Sequence, residues 1–277
     1  MNKSTTRASS SLILVRVEQI LIGLALTVFL FQLKFHIVSD GMTRFRALEM
    51  LFNRGELSGM AYSIIGPLFS SPIYLIGKLI GSPQVLCAKY NFFLFVLGLF
   101  LINKILKDYL DGSTRRKFYL ILILGSMFPQ HLSMYFGEVF TAVLVGFGIL
   151  AVITKKYVKL GYITIILGAA NIPASAIGLL LVVLVLIFKR KRWGYALIFL
   201  TVIVIILAEA WIRRGSPFNT GYHQNAGYRT FMPYSGLPEF SYPFFSWFYI
   251  YPSILWKRYL LFCPGNVSSC PETFPEV

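Results

Sequence analysis

Acidic residues are scarce in this chain: its 277 residues carry 11 Asp and Glu against 26 Lys and Arg, and only 13% are charged. A surface built from so few charges lacks the polar coat that a soluble domain of this length wears. Cysteine and histidine are also sparse. His36, His131 and His223 do not have zinc-ligand spacing, so a solvated or internally bonded imidazole is the plainer reading of each. Cys87 falls in an apolar run, where a thiol behaves as a small hydrophobe. Cys263 and Cys270 are close enough in sequence for a disulfide to close a short loop around the sequon Asn266-Val267-Ser268, a motif with meaning only in a eukaryotic lumen. No Walker loop, dinucleotide-binding glycine fingerprint or internal repeat is present, which removes support for nucleotide-driven transport.

Apolar sequence is what the chain has in excess. Hydrophobic residues make up 56% and aromatics 16%, and the mean hydropathy is +0.68. These values predict an all-α, multi-span integral membrane protein. Apolar runs at roughly 12–33, 84–106, 118–136, 138–154, 157–171, 173–188 and 193–212 predict about seven transmembrane helices. The first run is longer than a secretory h-region and has no small-residue cleavage site, so it is expected to stay as a span. Pro173, just after Asn171-Ile172, predicts a brief turn between the fifth and sixth runs.

The net charge of +15 would suggest nucleic acid in a soluble protein. Here the basic residues gather between apolar runs and report orientation, and no nucleic-acid partner is expected. Lys3 to Arg16, Lys104 to Lys117, Lys155 to Lys159 and Lys189 to Arg192 hold more than half of the 26 basic residues. They share one side if 62–80, which is interrupted by Gly66, Pro67, Pro72 and Gly77, does not cross. The expectation is a cytoplasmic N-terminus and a large first extracytoplasmic loop over about 35–83, with its Pro-containing part at the interface. Residues 1–212 then form a transmembrane module, and 213–277 an extracytoplasmic aromatic-rich tail with an interfacial or incomplete further span.

This topology puts two carboxylates on one face. Asp40, of LKFHIVSDGMTRFRALEML, follows the first run, and Glu138, of SMYFGEVFTA, stands at the edge of the fourth. Acids at a membrane edge are costly and mark candidate functional positions. Each has a plainer reading: Asp40-Gly41 as a turn or a cap of a helix starting at Met42, and Glu138 as a carboxylate at the positive end of a helix. Glu209 is expected to pair with Arg213 at i+4. Arg44, Arg46, Arg213, Arg214 and Arg229 lie on the same outer face, suited either to a phosphate or to snorkelling toward lipid headgroups. Aromatics from Tyr222 to Tyr259, Trp247 and Trp256 among them, suit an interfacial belt or a platform for a sugar ring.

This arrangement resembles the membrane glycosyltransferases of the GT-C fold, which include protein O-mannosyltransferases and aminoarabinose transferases. The likeness covers about residues 10–212. It lies in an acid near the start of the first outer loop (Asp40), a following helix (Met42 to Asn53) and Pro-interrupted helices (Gly55 to Pro83). A second acid follows the third span (Glu138), and Asn171-Ile172-Pro173 stands where many members have a Lys-Pro pair. The resemblance implies an integral protein of the bacterial inner membrane that moves a sugar from a polyprenyl-phosphate carrier to a glycan, lipid or protein acceptor at the outer face. It implies Asp40 as general base, Glu138 orienting the acceptor or helping Asp40 hold a divalent cation, and Arg44, Arg46 and Arg229 binding the phosphate. Members of the fold generally have more spans, so the likeness also carries the expectation of a compact variant, a truncated chain or an inactive remnant. The readings from other classes are a lipid or solute transporter or flippase and a catalytically inactive membrane scaffold. A transporter would bury polar groups at mid-membrane and pair broken helices in two halves.

Overall fold

The computed structural model describes residues 3–191, 193–219 and 221, and among them every regular element is helical. His223, Arg229, the aromatic run from Tyr222, the Cys263 and Cys270 pair and the sequon at Asn266 lie outside the described residues.

Helix α1 (Lys3–Gln32) leads into α2 (Asp40–Arg54), and three short helices follow: α3 (Ile65–Phe69), α4 (Ser71–Leu79) and α5 (Pro83–Ala88). Helix α6 (Tyr90–Leu106) continues almost directly from α5, and α7 (Gly112–Leu124) and the one-turn α8 (Phe128–Leu132) come next. Four longer helices complete the order: α9 (Gly137–Ile153), α10 (Val158–Asn171), α11 (Ser175–Arg190) and α12 (Gly194–Arg214).

Three stretches are long and apolar enough to cross a bilayer, namely Ile13–Phe31, Pro83–Leu106 and Gly194–Arg214. Shorter apolar helices cover Gly137–Ile153, Val158–Asn171 and Ser175–Lys189. With 14 to 17 residues, α9, α10 and α11 rise only about 21–26 Å, less than a typical hydrocarbon core. The run expected to span at 118–136 is not one helix. Helix α7 stops at Gly125, Ser126 Oγ takes the Leu122 carbonyl and receives the Phe128 N–H, and Pro129, at the start of α8, cannot extend a helix from behind.

The broken run has a structural consequence. After α8, His36 N–H bonds the Ser133 carbonyl at 3.1 Å, and His36 and Met134 form an isolated parallel bridge. This ties the segment before α2 to the segment before α9. Gly41 completes the approach, since a Cβ there would sit 3.0 Å from the Tyr135 carbonyl oxygen. Helix α2 buries Gly41, Arg44, Phe45 and Leu48, a stripe at the i, i+3, i+4, i+7 spacing of one helix face. It ends where Gly55 adopts φ 69° and returns its N–H to Leu51. Phe45 and Leu48 pack in one core with Tyr74, Cys87, Tyr90, Tyr135 and Phe140, and so bind α2 to α4, α5, α6 and α9.

Segment 62–80 leaves and returns at one end of the helices. Gly66 N–H bonds the Asn171 side chain, which also holds the Gly137 carbonyl, and Asn91 Nδ2 donates to the carbonyls of Met134 and Phe136. Helices α9 and α10 approach through glycine, as membrane helices do where dispersion contacts must replace a hydrophobic drive. A Cβ at Gly148 would lie 2.6 Å from the Gly161 carbonyl oxygen, and one at Gly161 would lie 2.9 Å from that of Gly148.

Two expected outcomes follow from this packing. Gly148→Ala forces the α9 and α10 backbones apart and costs roughly 1–3 kcal/mol, read as a lowered unfolding midpoint of the purified protein in detergent; an unchanged midpoint contradicts the close crossing. In intact cells and a cysteine-free background, a membrane-impermeant thiol reagent labels a cysteine at exposed Glu56 and spares one at exposed Lys155. Labelling of both would mean that the two ends of the helices do not face opposite sides. Ser58, a natural choice from sequence, is 1% exposed and unsuited to labelling.

Candidate functional site

Asn171, the last residue of α10, is fully buried and uses both ends of its amide. Its Oδ1 accepts from Gly66 N–H at 3.0 Å and from Arg44 Nη1 at 3.4 Å, while Nδ2 donates to the Gly137 carbonyl at 3.0 Å and Thr141 Oγ1 at 3.2 Å. Four elements, α2, α3, α9 and α10, therefore meet at one side chain. A Cβ on Gly66 would fall 2.7 Å from Asn171 Oδ1, so glycine there is a condition of the contact.

Arg44 fills the space beside it. The side chain is 6% exposed, Nη1 also donates to the Ser63 carbonyl at 3.3 Å, and the guanidinium lies 5.1 Å from the centroid of the Tyr62 ring. A Cβ on Gly137 would sit 2.7 Å from Arg44 Cζ, so the start of α9 is shaped around this cation. Burial draws the arginine below its ordinary pKa, and the charges of Glu138 and Asp40 oppose that shift. Asp40 stands one turn before Arg44 on α2, and Glu138 follows Gly137, against which the guanidinium packs. Arg44 Nε is buried and has no hydrogen-bond partner, an exception among buried polar atoms.

Asp40 opens α2 and is half-buried; Ser39 Oγ donates to its Oδ1 at 3.2 Å, and Ser39, not Asp40, holds the cap position. The capping reading of Asp40 is therefore replaced by that of an acid in the first turn, where the helix dipole favours it. Glu138 stands in the first turn of α9 and is exposed. Arg46 is exposed as well. Two residues from Arg44 on a helix, it projects from another face and is not gathered into the junction. Arg229 lies outside the described residues.

The Glu209 and Arg213 pair forms as expected at 2.6 Å, and it does more than close on itself. Arg213 donates to the carbonyls of Ser58 (2.8 Å), Met60 (3.0 Å) and Tyr62 (2.7 Å), and Glu209 accepts from Ser63 Oγ and Ile64 N–H, each at 2.8 Å. The last turn of α12 thereby holds the whole 58–64 loop. Ser63 joins the two clusters, its carbonyl on Arg44 and its hydroxyl on Glu209. The sequence marks Asn171 only as part of a turn and Ser63 not at all, because nothing local distinguishes a turn asparagine or a loop serine from one that bridges helices. Pro173 was the available signal, since it fixed where α10 must end.

The resemblance also gives Asp40 and Glu138 as holders of a divalent cation. Among the described residues no three His, Cys, Asp or Glu gather into a metal-binding group. Both stand near the buried Arg44 guanidinium, Asp40 one turn before it on α2 and Glu138 next to Gly137, so a metal ion there would face a like charge. The donor set does not fit a metal, and no step is derived through one.

Asn171→Ala leaves the Gly66 N–H and the Gly137 carbonyl without their partner and removes one of Arg44's. The expected cost is roughly 2–4 kcal/mol, read from thermal unfolding in detergent, together with faster proteolysis of the 58–64 loop. Wild-type stability in this variant would remove the junction from its central position.

Comparison with known proteins adds no assignment: no family model, curated protein or solved structure matches this chain.

Proposed function

We propose that this chain is an integral membrane glycosyltransferase of GT-C type that moves a sugar from a polyprenyl-phosphate carrier to an acceptor at the extracytoplasmic face. The observation that carries the reading is Arg44, a buried guanidinium with an unpartnered Nε, set one turn after Asp40 on α2 and against Gly137, the residue before Glu138. A buried charge is expensive, and such expense is commonly tied to chemistry.

In this reading Asp40 removes the proton from an acceptor hydroxyl as that oxygen attacks the anomeric carbon, and the bond from that carbon to the carrier phosphate breaks with its electrons. Glu138 orients the acceptor. Arg44, Arg46 and Arg229 neutralise the carrier phosphate in this reading. The reading includes a bacterial inner-membrane location, a cytoplasmic N-terminus and about seven membrane passes in which the shorter helices take part. The return of segment 62–80 to one end of the helices supports that topology. Members of other classes, transporters above all, would be expected to hold their ionisable groups at mid-membrane.

Asp40→Asn keeps size and hydrogen bonding but removes the base. Transfer from a radiolabelled polyprenyl-linked sugar pool in membranes is expected to fall by about a hundredfold or more, with expression and insertion unchanged. Near wild-type transfer would exclude Asp40 as the base, and loss of expression would return it to a structural role.

A further inference from the structure

At the end of the helices remote from Asp40, the structure forms a second site. A cleft of about 400 Å³ opens between the C-terminus of α6 and the turn joining α9 to α10, lined by Lys104, Lys107, Asp108, Lys156 and Tyr157. Three ammonium groups face one carboxylate, and that carboxylate is already engaged, because Lys156 pairs with Asp108. Lys104 lies 4.8 Å from the centroid of the Phe100 ring and Lys156 lies 5.6 Å from that of Tyr109, so aromatic faces hold two of the cations over the cleft.

The walls are fixed. Tyr109 donates its hydroxyl to the Thr154 carbonyl at 2.7 Å, tying the loop after α6 to the end of α9. Lys155 and Tyr157 both adopt positive φ, 58° and 55°, a left-handed conformation that disfavours residues with a Cβ and that here turns Lys156 and Tyr157 to the cleft. Around it the surface is apolar and open: Phe100 is 55%, Ile153 71% and Leu160 46% exposed. Cationic groups set at the rim of an exposed apolar belt match a molecule with a phosphate at one end and hydrocarbon behind it.

We propose that this cleft binds the phosphate of an anionic membrane lipid. Lys104 and Lys107 supply the uncompensated charge, Lys156 is shared between Asp108 and the phosphate, and the Phe100 and Ile153 surface receives the acyl chains. The site does not depend on the sugar-transfer reading and is tested without it.

The test uses the purified full chain in neutral detergent, with its unfolding midpoint followed as phosphatidylglycerol, phosphatidylcholine or inorganic phosphate is added. A saturable rise with phosphatidylglycerol is expected, with none from phosphatidylcholine and none from inorganic phosphate at millimolar concentration. The Lys104→Gln/Lys107→Gln variant is expected to need roughly tenfold or more phosphatidylglycerol for the same rise. Lys117→Gln/Lys159→Gln, which removes equal charge from exposed positions outside the cleft, is expected to behave as wild type. If the first double variant does not fold, Lys107→Gln alone serves, with a smaller shift in the same direction. Equal loss in both variants would reduce the effect to general surface charge and overturn the site. Unchanged titration in the cleft variants would overturn it as well. A saturable rise with inorganic phosphate that competes with the lipid would assign the cleft to a soluble phosphate and overturn the lipid source.

Discussion

The buried amide of Asn171 is the contact on which the junction of α2, α3, α9 and α10 depends. A side-chain amide removed from water must find partners for its acceptor and its donors, or leave a desolvation cost of about 1–3 kcal/mol for each group unpaired. Asn171 meets that demand with four partners from α2, α3 and α9, and in doing so sets where three helix termini meet. Asn171 meets α3 only because Gly66 leaves the room, and Arg44 reaches its place only because Gly137 does. Two glycines and one asparagine thus determine where the cation sits, and the cation in turn determines where two carboxylates have a common neighbour.

A second buried arginine extends the same logic. Arg213 satisfies itself on Glu209 and on three carbonyls of the 58–64 loop, a segment with no regular structure of its own whose polar backbone would otherwise be costly to bury. Because Ser63 contacts both Arg44 and Glu209, the loop is an intermediate between α12 and the junction. The 58–64 loop and the last described helix are thereby parts of one polar network. At the opposite end the chemistry differs: three lysines lie near an exposed apolar surface with a single acid among them. The molecule has a neutralised, buried cation at one end and exposed excess positive charge at the other.

Much of the local order was legible in the residues. Long apolar runs marked α1, α6 and α12, Pro173 marked the end of α10, and the i+4 spacing of Glu209 and Arg213 marked an ion pair. The expected helix from Met42 to Asn53 exists with two residues more at its start and one more at its end, as Asp40–Arg54. The run at 118–136 misled because hydropathy counts apolar residues without regard to Ser126 and Pro129, whose backbone chemistry divides it. Arg44 and Arg46 looked equivalent by composition, yet helical periodicity buries the first and exposes the second.

The sequence alone determined the class: too few charges for a soluble surface, apolar stretches of bilayer length, and basic residues gathered between them, because those properties are sums over composition and spacing. The tertiary structure alone decided which polar residues share a neighbourhood. Asp40, Arg44, Ser63, Glu138, Asn171 and Glu209 are spread over more than half of the chain, and nothing in the spacing of one predicts the distance to another. Their meeting comes from close helix crossings that only glycine permits and from buried hydrogen-bonding groups that have to be satisfied by whatever the fold brings near.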